Sequence, residues 1–188
     1  MLKEKIAKLV AEDGTVSLFP IEKDYAAKVG LITEQTEIND KEWSFTVIER
    51  CLKETEDVIK EENESFMNEP ASYFSKNADE FLYIESEAFE TVGVEAIAFE
   101  MDDVFKTHTV LFGLKVQKKW GSFLKDYLDA NVGTNSFSAM FSDKDGLWDV
   151  NVPLDQLDGF QKEMTLTESI DLAYRFIFKL LEAIEATN

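Results

Sequence analysis

The pattern of apolar positions alternates between helix-like and strand-like stretches, which predicts a mixed architecture. Residues 2–10 carry apolar side chains at the three-to-four-residue spacing of an amphipathic helix, and residues 15–19 are typical of a short strand. Residues 21–29 fit a second short helix, and a polar, irregular stretch follows. These elements predict a short N-terminal αβ extension at residues 1–40 and a core domain at residues 41–188.

Three longer helices are predicted within the core domain. Residues 40–62 begin with Asp40, a good N-cap, and place apolar side chains at i, i+4 and i+8 opposite a row of acids. Residues 115–128 show a similar apolar stripe. Residues 165–186 begin with a cap at Thr165 and have only a narrow polar stripe. We therefore expect the last helix to be covered by a sheet or by another subunit.

The remaining core residues predict strands. Residues 80–114 alternate apolar and polar positions over three segments that are rich in β-formers. Residues 137–141 and 147–152 flank the turn-forming residues 143–146 and predict a hairpin. The element order from residue 41 is α-β-β-β-α-β-β-α. The fold class is therefore α+β, with an antiparallel sheet of about five strands packed against two or three helices.

The charge of the chain restricts its partners. It has 38 acidic residues against 19 lysines and arginines, a formal net charge of -19. Non-specific binding to nucleic acid depends on Lys and Arg, and anionic lipids repel an acidic surface. We therefore expect no nucleic-acid partner and no membrane partner, whereas a basic protein would be attracted.

Further sequence features favour a cytoplasmic protein. No apolar run approaches the roughly 20 residues that span a bilayer, and the charged N-terminus has no signal-peptide core. Cys51 is the single cysteine, so the chain cannot form an internal disulfide, as is typical of a reducing compartment.

Few residues could carry catalysis. His108 is the only histidine, and its sequence neighbours supply neither a carboxylate nor a nucleophile, so we expect an ordinary strand histidine. Cys51 fits a core position. Phosphate-binding loops and zinc motifs are absent, so the sequence predicts no catalytic residue, cofactor or metal. The alternative is an enzyme or small-molecule binder that uses carboxylates, with or without a divalent metal, in one cleft lined by Glu85, Glu87, Asp102, Asp103 and His108.

One local contrast in charge suggests a contact surface. Residues 104–125 contain five lysines and no acid, whereas residues 54–64 contain six acids and one lysine. The lysine-rich segment could bind an anionic group, or pair with the acidic segment within the molecule or across a dimer. The lysines considered for these roles are Lys106, Lys115, Lys118 and Lys119.

The element order, size and low pI resemble those of the class I chaperones of type III secretion. The resemblance covers about residues 41–186 and implies a small cytoplasmic dimer that holds a secretion partner in extended form on apolar patches. No motif accompanies it, so it assigns no residue roles. Together these observations predict a non-enzymatic protein-interaction or chaperone-like module that forms a homodimer and binds a protein partner. The predicted partner contacts are Trp120, Phe123, Tyr127, Phe141 and Trp148.

Overall fold

A computed structural model describes residues 2–11 and 16–187. Its helices are α1 (Leu2–Ala11), α2 (Pro20–Lys28), α3 (Tyr73–Lys76), α4 (Gly121–Val132) and α5 (Leu166–Ala186). Its strands are β1 (Val16–Leu18), β2 (Ile38–Asp40), β3 (Val47–Leu52), β4 (Val58–Glu61), β5 (Glu80–Glu85), β6 (Val94–Met101), β7 (His108–Leu114), β8 (Ser138–Ser142) and β9 (Leu147–Pro153). None of the helices in these ranges is long and apolar enough to span a bilayer.

The strands form one large and one small sheet. The large sheet has seven antiparallel strands in the order β4-β3-β5-β6-β7-β9-β8, and β1 pairs with β2 in parallel. The predicted α+β class is confirmed, with seven strands in the main sheet where about five were expected.

The predicted helix over residues 40–62 is wrong, and this accounts for the two extra strands. Residues in this stretch form β3 and β4, joined by a turn in which Glu56 has a positive φ of 59°. The apolar spacing also fits two short strands, and β-branched pairs at Val47–Ile48 and Val58–Ile59 favour extended backbone. The core order therefore begins β-β, not α.

Other predicted elements are confirmed with shifted ends. Helices α1 and α2, strand β1, the three strands β5–β7 and the β8–β9 hairpin lie where the periodicity placed them. Thr15, the first residue of the predicted N-terminal strand, lies outside the described residues. Helix α4 begins at Gly121, six residues later than expected, because residues 118–120 form a 3₁₀ turn.

Helix α5 is covered, as its apolar sequence predicted. It begins with a capping box in which the Glu168 amide donates to Thr165 Oγ1 at 3.1 Å and the Thr165 amide donates to the Glu168 carboxylate at 2.7 Å. Twelve of its 21 residues are buried. The helix therefore forms the centre of the layer that packs on the sheet.

The N-terminal elements share this core. Leu2, Ile6 and Phe19 belong to the same buried cluster as the sheet residues. Glu22 on α2 is fully buried and accepts hydrogen bonds from the Tyr174 hydroxyl on α5 at 2.5 Å and from the Phe19 amide at 2.9 Å. These two donors join residues 19–22 to α5.

The Tyr174→Phe substitution should destabilise the protein by about 1–3 kcal/mol, because it leaves a buried oxygen of Glu22 without a donor. Urea unfolding followed by circular dichroism measures the change. The control is Tyr127→Phe, which removes a half-buried hydroxyl that has no hydrogen-bond partner among the described residues. Equal stability of the two variants would contradict this role for Tyr174.

Candidate functional site

The two faces of the large sheet differ in how they are covered. One face packs against the helices, and its side chains are almost inaccessible to solvent. These inner residues include Leu82, Ile84, Ile97, Phe99, Val110, Phe112, Val150 and Val152. Most of the alternate residues point to the other side and stay partly accessible, so much of that face of the sheet is open.

We define the open face by its apolar residues, Tyr83, Ala96, Ala98, Leu111, Gly113 and Leu147. They line a shallow depression of about 410 Å³. Strand register makes part of the surface continuous, since Tyr83 lies opposite Ala98 and Ala98 lies opposite Leu111. Small side chains at the centre create the depression between the larger ones.

A β-bulge decides which alanines reach this face. The alternation in the sequence predicts Val92, Val94, Ala96 and Ala98 on one face of a strand. In the structure the register shifts between Val94 and Ile97, so Val94 is buried while Ala96 and Ala98 are partly accessible. The expected grouping is therefore wrong at Val94, and also at Val92, which is buried in the 3₁₀ turn before β6.

Carboxylates surround the open face. Glu95 and Asp149 line the depression, and Glu49 lies opposite Tyr83 on the neighbouring strand. The Tyr83 hydroxyl donates to Glu85 at 2.8 Å. Burial, followed by this hydrogen bond and the charge of Glu85, raises the pKa of Tyr83 to about 12. The surface thus combines an apolar floor with a negative rim.

The predicted aromatic contacts separate into two groups. Trp148 is buried against Gly121, and its ring centroid lies 5.2 Å from that of Phe141. Trp148 therefore belongs to the core. The rings of Trp120, Phe123 and Tyr127 are half-buried, with Trp120 at the end of the 3₁₀ turn before α4 and the other two on α4. Their consecutive centroids are 6.2 and 6.5 Å apart.

The predicted lysine patch is divided by strand β7. Lys106 precedes this strand, whereas the other lysines follow it at the opposite end. Lys115 forms an ion pair with Glu95, and Lys118 pairs with Asp143 at 2.7 Å. Both acids lie outside the acidic segment 54–64, so these two ion pairs do not join the lysine-rich segment to the acidic one.

The acidic segment makes its own contacts. Glu62 accepts from Arg50 Nε at 3.0 Å and from Lys60 at 2.7 Å. Burial acts to raise the pKa of Glu62, but these two cations hold it below its ordinary value. The segment is thus tied to strand β3.

The carboxylates of the alternative hypothesis do not share one cleft. Glu85 lies opposite Ala96 near one end of the sheet, whereas Asp102 and Asp103 follow the opposite end of β6. Glu87 begins a 3₁₀ turn and is not on a strand with Glu85. Within residues 2–11 and 16–187, no group of three or more His, Cys, Asp or Glu residues could hold a metal ion.

His108 has partners that the sequence did not reveal. Its Nδ1 lies 3.1 Å from Asp155 Oδ2, and its Nε2 lies 3.0 Å from Ser75 Oγ. They lie 47 and 33 residues away along the chain, so no local pattern connects them. Cys51 is buried as expected, although on a strand, and burial followed by nearby acids raises the pKa of its thiol.

Comparison with known proteins gives no family for this chain. No protein-family model, curated protein or solved structure matches it significantly. The element order behind the resemblance to class I secretion chaperones also changes, because β3 and β4 replace the first core helix. Function is therefore argued from the geometry.

The tyrosines provide a test of the packing around the site. Burial is the largest cause of a raised pKa at all five, namely Tyr25, Tyr73, Tyr83, Tyr127 and Tyr174. Above pH 10 the native state should retain phenol protons that the unfolded chain loses. The free energy of unfolding should then fall as pH rises from 10 toward 12.

Ultraviolet absorbance of tyrosinate measures this difference directly. At pH 10 the folded protein should show far less tyrosinate than the same chain in urea, and Tyr83→Phe should remove one late-titrating group. Equal absorbance of the folded and unfolded samples would contradict the buried positions.

Proposed function

We propose that this protein is a chaperone-like interaction module whose open face binds a basic protein partner. The observation that supports this proposal is the one-sided covering of the sheet. Helices bury the inner face, while the other face presents Tyr83, Ala98 and Leu111 beside carboxylates. Contiguous accessible apolar surface with a polar rim is typical of interaction sites.

The apolar floor would supply the affinity. Each Å² of apolar surface removed from water is worth about 25 cal/mol. Ala96 and Ala98 have short side chains and Gly113 has none, so a partner can approach the strands closely and fill the depression. An extended or flat apolar segment of the partner fits this surface.

The rim would select the charge of the partner. Glu49, Glu85 and Asp149 add local negative charge to a chain with a net charge of -19. Complementary charge accelerates association and disfavours like-charged partners. Two copies of this chain placed face to face would bring their acidic rims together, so the proposed occupant is a different, cationic protein.

A homodimer in the cytoplasm completes the proposal. The half-buried rings of Trp120, Phe123 and Tyr127 form a row along α4 and the turn before it, and give an apolar surface separate from the open face. The free thiol of Cys51 suits a reducing compartment.

Substitutions on the open face should weaken capture of the partner. Asp149→Lys reverses charge at the rim, and Ala98→Gln fills the depression without changing charge. Each variant should capture at least about tenfold less of a basic protein than the unmodified chain does. This corresponds to a loss of about 1.4 kcal/mol of binding free energy. Quantitative mass spectrometry of proteins bound from an extract of the producing cells measures the loss.

Glu163→Lys is the matched control, because it makes the same charge change in a cleft beside α5, on the helical side. It should bind as the unmodified protein does. The proposal fails if no basic protein distinguishes the open-face variants from this control.

The dimer has its own test in light scattering. The unmodified chain should have about twice the mass of 21.5 kDa, and Phe123→Asp should reduce it to the monomer. Met140→Asp, at an exposed position on edge strand β8, is the control and should leave the dimer intact. A monomeric unmodified chain would exclude the homodimer.

A further inference from the structure

We infer that Ser75, His108 and Asp155 form a nucleophilic triad that accepts an acyl group on the Ser75 hydroxyl. Ser75 Oγ lies 3.0 Å from His108 Nε2, and His108 Nδ1 lies 3.1 Å from Asp155 Oδ2. The imidazole thus contacts a serine through one ring nitrogen and a carboxylate through the other. This arrangement activates a serine nucleophile, because the imidazole acts as the base and the carboxylate orients it.

The fold brings the three residues together from distant elements. His108 is the first residue of β7, and Thr109 beside it pairs with Pro153 at the end of β9. The chain then enters the 3₁₀ turn Leu154–Gln156, which places Asp155 next to His108. Ser75 is supplied by α3, on the other side of the imidazole.

The surroundings hold the imidazole in one orientation. Asp155 Oδ2 also accepts the backbone amide of His108 at 2.6 Å, so the carboxylate is fixed from two directions. The ring is fully buried, and its centroid lies 6.1 Å from that of Phe99 and 5.2 Å from that of Phe160. Ser75 is exposed, so an electrophile can reach its hydroxyl.

Each group has one role in the proposed reaction. The Nδ1–H of His108 donates to Asp155, and the free Nε2 lone pair takes the proton of the Ser75 hydroxyl. Ser75 Oγ bonds to the carbonyl carbon of an ester, the carbon–oxygen bond to the alcohol breaks, and the alcohol leaves with the proton from Nε2. Water then attacks the acyl-serine through the same base, releasing the acid and restoring Ser75.

The geometry also limits the substrate class. General-base catalysis contributes about 10²–10⁴-fold to a rate. The three residues account for activation of the nucleophile alone, so the expected substrates are esters whose alcohol leaves readily. The triad lies on the helix-covered side of the sheet, since His108 follows the alternation of the buried Val110. This activity is therefore independent of the open face.

The tautomer of His108 is the first test and needs no variant. His108 is the only histidine, so the ring signals in a ¹⁵N NMR spectrum belong to it. The proposal requires a proton on Nδ1 and a free Nε2. A proton on Nε2, donated to Ser75, would overturn the proposal.

A fluorophosphonate probe is the second test. Attack by Ser75 forms an oxygen–phosphorus bond, fluoride leaves, and His108 passes the proton to water. Mass spectrometry of the intact chain and its peptides should find one adduct, on Ser75. Asp155→Asn should slow labelling at least about 100-fold, because the base loses its orienting carboxylate.

Two serine variants separate a specific reaction from background. Ser75→Ala should remove the adduct, and Ser122→Ala, at an exposed serine on α4, should leave it unchanged. Circular dichroism confirms that each variant is folded. No adduct on Ser75 under conditions that label a reference serine hydrolase, or an unchanged rate in folded Asp155→Asn, would overturn the proposal.

Discussion

The structure depends on the packing of α5 against one face of the seven-stranded sheet. Twelve residues of this helix are buried, and they meet inner sheet residues such as Phe99 and Val150 in one apolar cluster. The N-terminal elements attach to the same helix, through the buried hydrogen bond between Tyr174 and Glu22. Burial of apolar surface drives this assembly, and the buried polar pair restricts how α2 can sit on α5.

One-sided packing also explains the proposed function. A sheet with helices on one face leaves alternate side chains of each strand on the other, and here several of them are apolar. In this protein the surrounding residues are acidic, so the exposed apolar floor is combined with charge that favours a cationic partner. On the side of the sheet opposite the open face, His108 is buried, whereas Ser75 is exposed.

Sequence periodicity predicted correctly those elements whose apolar pattern fits either a helix or a strand but not both. Helix α5 and strands β5 to β7 are of this kind, because their apolar spacing matches only one regular structure. Residues 40–62 fit both a helix and a hairpin. Arg50 forms ion pairs with Glu62 and Glu80, and these join β3 to its neighbours. The sequence pattern does not contain such contacts between distant residues. The open face required knowledge of the bulge in β6, and the triad joins residues from three separate elements.

Photo-crosslinking tests the central claim most directly, because it records what touches the open face in the cell. A benzoylphenylalanine side chain at Leu111 would lie on the open face, and one at Ser122 would lie on the exposed side of α4 as the control. Our account predicts a crosslink from Leu111 to a basic protein and none to that protein from Ser122. Crosslinks of equal yield from both positions, or none from Leu111, would contradict it.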